Sequence, residues 1–86
     1  MPEICRFHGV VIKMYADDHA PAHFHAEYAG REAAVAIATL ALLRSDLPRR
    51  IERMVLRWSL VHARELEANW SALVAGRSPR RIAPLE

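Results

Sequence analysis

Residues 10–15, VVIKMY, alternate: Val10, Ile12 and Met14 take one side, Val11, Lys13 and Tyr15 the other. That is the period of a half-buried strand. ICRFHG before it, across Gly9, reads as a strand that pairs with it or continues it through a bend. ADDHAPA breaks the pattern. Its aspartates and proline predict a loop, with Pro21 forcing Ala20 toward extended backbone. HFHAEY resumes the alternation. Ala29-Gly30 then predicts a hairpin turn, since glycine accepts the positive φ a tight turn needs. REAAVAI reads as the returning strand, and LALL as either a short last strand or the start of a helical turn.

After residue 47 the period changes from two to between three and four. Ile51, Met54, Val55, Trp58, Val61, Leu66 and Leu73 form one amphipathic stripe. Ser45 or Asp46 is placed to cap this helix, Pro48 suits its first turn, and Gly76 suits the position just past its end. RSPRRIAPLE follows as an extended tail, with Ile82 and Leu85 as candidate anchors. The expected architecture is α+β and a single domain over residues 1–86. Three or four antiparallel strands within residues 4–43 would pack against one long helix over about 48–75, with a tail at 76–86.

At 86 residues the chain has a thin core, and its 52% hydrophobic content is ordinary for a globular protein. The lone Cys5 allows no internal disulfide. Neither a signal peptide nor a membrane-spanning run is apparent, so the expected compartment is the cytoplasm. Charge divides the chain more sharply than composition does. The net charge is −2 over residues 1–43 and +5 over residues 44–81. A basic half of this kind attracts nucleic acid or an acidic protein.

The candidate chemistry sits in the loop and the strand after it. Side chains alternate along a strand, so His23, His25 and Glu27 share one side of HFHAEY and Phe24, Ala26 and Tyr28 share the other. The apolar set should face the helix. His19 could swing in from the loop, with Asp17 or Asp18 beside it. Three readings stay open. His19, His23 and His25 could hold a divalent transition metal such as zinc or nickel. The histidines could instead carry protons in phosphodiester cleavage, with arginines gripping phosphate. Or they are plain polar sheet surface, as His8 is expected to be.

On the helix, His62 and Asn69 fall near the apolar stripe, with Glu65 on its flank, and such groups need partners if buried. His62 either bonds locally to a backbone carbonyl or to Glu65, or reaches the histidine cluster. Arg50, Arg53, Arg57 and Arg64 gather within about 60° of arc on the other side, at about 100° per residue. They suit a phosphate backbone, a protein partner or a solvated face paired to Glu52 and Glu67. Leu56 and Leu60 beside them favour a partner or a homodimer. Trp70 lies at the edge of the stripe and is expected to be core rather than a platform for a base.

These residues together resemble a known family. MYADDHAPAHFHAEYAG, the Leu47-Pro48 step, the run Trp58, His62, Glu65, Leu66, Asn69 and Trp70, and the closing RRIAPLE are similar to the bacterial domain of unknown function 4160. Asp18, His19, Pro21, His23, Phe24 and His25 carry the most specific part. Ala22 stands where members often have a second proline. ATLALLRSD replaces the usual turn-and-glycine stretch, which leaves the fourth strand open. The resemblance implies a type II toxin–antitoxin pair with a partner of the domain of unknown function 2442 type. In that setting this chain would be the toxin, acting through Asp18, His19, His23, His25 and His62, with RNA a candidate substrate. The alternative is a non-enzymatic metal-binding or protein-binding regulatory module. A DNA-binding antitoxin fits poorly, because no helix-turn-helix or ribbon-helix-helix pattern is present.

Overall fold

A computed structural model of the chain describes residues 3–15 and 21–85. Two tight turns organise its sheet. His8-Gly9 joins β1 (Glu3–Phe7) to β2 (Val10–Lys13), and Ala29-Gly30 joins β3 (His23–Tyr28) to β4 (Arg31–Ala36). All four turn residues have φ between 47° and 81°. This positive-φ pair matches the twist of the strands it connects. At Gly9 a side chain would also crowd the Tyr28 ring, whose Cε1 lies 3.3 Å from where a Cβ would sit. His8 therefore belongs to a turn, exposed, and not to a strand.

A further strand, β5 (Leu42–Ser45), follows β4, and the sheet is a simple antiparallel meander in the order β1-β2-β3-β4-β5. The expected three or four strands are five. Of LALL only Leu42 and Leu43 enter this strand, and all four β5 residues are exposed. Its pairing with β4 is irregular between Ala34 and Val35. Backbone bonding to β4, rather than burial, holds it there.

The expected single helix is two: α1 (Arg49–Val61) and α2 (Ala63–Val74). The break is at His62, whose φ of −112° and ψ of 25° leave the helical region. The bond ladder nevertheless runs through it, from His62 N–H to the Trp58 carbonyl and from Leu66 N–H to the His62 carbonyl. The bend changes which residues face inward. Val61, expected in the stripe, is exposed, while Leu66 and Asn69 of α2 are buried. Neither Ser45 nor Asp46 caps α1, which starts after Pro48 without a side-chain cap. Ser45 Oγ instead accepts from Leu47 N–H and donates to Glu52. Asp46 accepts the Glu32 N–H at 2.8 Å, tying the entry of α1 to β4. Gly76 ends α2 at φ 79°, as expected.

Trp58 is the centre of the core. It is fully buried, with ring centroids 5.6 Å from Phe7 and 5.9 Å from Phe24. Val10, Ile12, Met14, Ala26, Val35, Ile51 and Val55 surround it. Burying each large apolar side chain contributes about 1.5–3 kcal/mol. Phe24 and Ala26 thus face the helices as their alternation predicts, which turns His23, His25 and Glu27 to the other side of the sheet.

The tail is a strap. Asn69, 4% exposed, donates to the Arg80 carbonyl and accepts the Arg80 N–H, both at 2.8 Å. Trp58 Nε1–H donates to the Ala83 carbonyl at 2.9 Å, and Ile82 N–H donates to the Ile4 carbonyl at 2.8 Å. Arg81 reaches the carboxylate of Glu3, which Arg6 also holds. Ile82 is buried as an anchor and Leu85 partly so. Among the described residues no helix is long and apolar enough to cross a membrane.

Candidate functional site

Strand register assembles the site. His25 stands opposite Ala34 on β4 and Lys13 on β2, while Glu27 stands opposite Glu32 and Val11. Two carboxylates directly opposite repel. Here each turns to a different partner. Glu27 pairs with Lys13 at 3.0 Å, and Glu32 accepts from His25 Nδ1 at 2.7 Å. His23 Nδ1 lies 2.8 Å from the Pro21 carbonyl. A carbonyl or an ionised carboxylate can only accept, so both imidazoles carry a proton on Nδ1. Each ring is thereby oriented by an oxygen acceptor.

The two rings meet. Their centroids are 4.9 Å apart with an interplanar angle of 71°, and Tyr15 lies edge-on to His25 at 5.2 Å. His23 and His25 are only 9% and 7% exposed. Ala34 and Ala36, opposite His25 and His23 on β4, are buried too. The pair is therefore a built feature of the fold and not plain surface. Glu32 remains half-exposed, and it borders an open depression of about 380 Å³ toward the hairpin turns.

At the other end of β3, α2 brings Trp70 to 6.4 Å from His23, ring centroid to ring centroid. Trp70 is only partly buried. With Ala22, Ile37, Ala38, Glu67 and Ser71 it lines a cleft of about 410 Å³. The expectation that Trp70 is simply core holds in part, because one side of it faces this cleft.

The other candidates divide. Asp18 and His19 lie outside the described residues. His62 is not in the histidine cluster. It pairs with Glu65 at 2.5 Å, packs on Trp58, and lines a hollow under the tail with Ala83, Pro84 and Leu85. Asn69 serves the tail strap. The local reading of His62 and Glu65 is thus the observed one. The motif residues Trp58 and Asn69 answer to the closing RRIAPLE, which they bind.

Arg50, Arg53 and Arg57 project from the side of α1 opposite Ile51, Val55 and Trp58, and border a groove of about 370 Å³ with Met54 and Leu85. Arg64 lies beyond the bend, on α2. Neither histidine lines the groove that Arg50, Arg53 and Arg57 border. Among the described residues none of the four forms an ion pair with Glu52 or Glu67. Glu52 bonds Ser45 instead.

Glu32, the residue that orients His25, is absent from the expected site. A diagonal pairing across a hairpin is the signal that leads to it: His25 and Glu32 are equidistant from the Ala29-Gly30 turn except for one two-residue step. Among the described residues no group of three or more His, Cys, Asp or Glu side chains is placed to hold a metal ion. A set made of His19, His23 and His25 includes a residue outside that description.

No match was found among curated proteins or among solved structures. One family model does match, over residues 9–71, which take in β2 through most of α2 and so include both histidines, Glu32 and Trp70. The chain belongs to the family described as Domain of unknown function (DUF4160).

Proposed function

We propose that this chain is a toxin-like protein that cleaves RNA through the His23–His25 pair. The observation that carries the reading is the oxygen acceptor on each Nδ1, above all the Glu32 carboxylate on His25. A carboxylate in that position supports an imidazolium as it forms. In the reaction, His25 takes the proton of a ribose 2′-hydroxyl. The 2′-oxygen bonds to phosphorus, the bond to the 5′-oxygen breaks, and imidazolium His23 protonates that leaving oxygen. The products are a cyclic phosphate and a 5′-hydroxyl. The cleft beside His23, with Trp70 on one wall, suits a base next to the scissile bond.

Inducible expression tests this, comparing wild type with His23→Ala, His25→Ala and Glu32→Gln, together with cleavage of labelled RNA by purified protein. Each histidine change should lower cleavage by about 10²–10⁴-fold and relieve growth arrest. Arrest and cleavage that survive both histidine changes reject the reading.

A second reading, a metal-binding regulatory module, rests on the same acceptors. Oxygen atoms on the second ring nitrogen are what orient metal-ligating imidazoles. Stoichiometric zinc or nickel in protein purified without a tag, lost in His25→Ala, would favour it. Full activity of metal-free protein would exclude it.

A further inference from the structure

The outward side of α1 lies apart from the histidine pair and needs its own account. Arg50, Arg53 and Arg57 follow one another at helical spacings of three and four, where like charges face each other and weaken a helix. Among the described residues no carboxylate offsets them. Between them is the groove of about 370 Å³, floored by Met54 and Leu85. One turn further on, Leu60 is 71% exposed and Val61 beside it 70%. Exposed apolar side chains of this size, contiguous with unpaired guanidinium groups, mark an interaction surface.

We infer that this face docks an acidic, amphipathic segment of a protein partner. Its carboxylates would meet Arg50, Arg53 and Arg57, and its apolar stripe would cover Met54, Leu85 and Leu60. Charge complementarity requires an anion, and guanidinium groups bind carboxylates in paired hydrogen bonds. A nucleic-acid backbone supplies the charge but has nothing to bury Leu60, so the apolar half of the surface selects protein. Because neither histidine lines this groove, a docked segment leaves the histidine pair uncovered.

The test uses the full chain and a labelled helical peptide of about four turns, with leucines along one stripe and glutamates flanking it. Fluorescence anisotropy should show saturable binding that weakens as salt rises. Arg53→Glu combined with Arg57→Glu should weaken it at least about tenfold, a difference of about 1.4 kcal/mol. Leu60→Ser, a change at an exposed position that leaves the charge intact, should weaken it severalfold. A peptide with lysines in place of the glutamates should bind the charge-reversed protein and not the wild type. Circular dichroism checks that each variant keeps its fold. Two results overturn the inference: absence of saturable binding to the acidic peptide at low salt, or single-stranded RNA binding as tightly with no response to Leu60→Ser. RNA cleavage by the His25→Ala variant is a separate readout, so failure here and failure of the RNA-cleaving reading are distinguishable.

Discussion

Replacing Asn69 by alanine separates architecture from chemistry. The side chain is buried and makes two hydrogen bonds to the backbone of Arg80, each 2.8 Å long. A hydrogen bond of this kind contributes about 0.5–1.5 kcal/mol net. Two therefore give about 1–3 kcal/mol, and loosening of the buried Ile82 beyond them pushes the figure toward the upper end. A chain of this length is stable by roughly 4–13 kcal/mol in all. Each kcal/mol corresponds to about 4–8 °C in Tm for a domain of this size. Asn69→Ala should lower Tm by about 5–20 °C in a circular dichroism melt. Hydrogen exchange should locate the loss, with the Arg80 and Ile82 amides opening first, since their acceptors are Asn69 and Ile4. A cycle with Ile82→Ala should be less than additive, because either change frees the same strap. A Tm within about 2 °C of wild type, well below the shift expected from the lost bonds, together with unchanged exchange at Ile82, would refute the strap. A variant that melts normally but loses RNA cleavage would return Asn69 to the chemistry.

Other outcomes follow from the same geometry. Hydrogen bonds from Arg6 and then Arg81 hold the Glu3 carboxyl at about 2, below its ordinary 4.5. A carboxyl depressed by folding stabilises above its unfolded value and loses that contribution as pH falls toward its folded one. The tail should thus loosen between about pH 4.5 and 2, seen as a falling protection of the Ile82 amide relative to its intrinsic exchange rate in wild type and an altered pH dependence in Glu3→Gln. Gly9→Ala should cost about 1–2 kcal/mol, from its φ of 81° and its approach to Tyr28; an unchanged urea midpoint would contradict this. Burial pushes the Cys5 thiol up from its ordinary range, so a thiol reagent should label it only after denaturant is added, and rapid labelling of the native chain would count against the packing of β1.

The alternation in VVIKMY and HFHAEY predicts both strands and the side each residue takes, because a strand has only two sides. Gly30 reveals its turn because glycine accepts positive φ, whereas around Gly9 the sequence leaves open a turn or a bent strand. What resists such reading is set by distant parts of the chain. The bend at His62 depends on how α2 must turn to bury Leu66 and Asn69, so the long apolar stripe looks continuous when it is not. The strand at Leu42–Ser45 has no burial pattern to announce it, since all four residues are exposed. His25 is legible as a candidate from its neighbours in sequence. Glu32 becomes its partner only when the hairpin closes.

Closure of β1 has a consequence for how the protein is made. Arg81 bonds Glu3 across 78 positions, and Ile82 is the residue that meets Ile4. During synthesis on a ribosome the meander can form strand by strand, each new hairpin adding to the last. The outer rim at β1 must wait until nearly the whole helical layer has emerged. Until then that rim is open to neighbouring nascent chains, and the interval lengthens whenever translation slows.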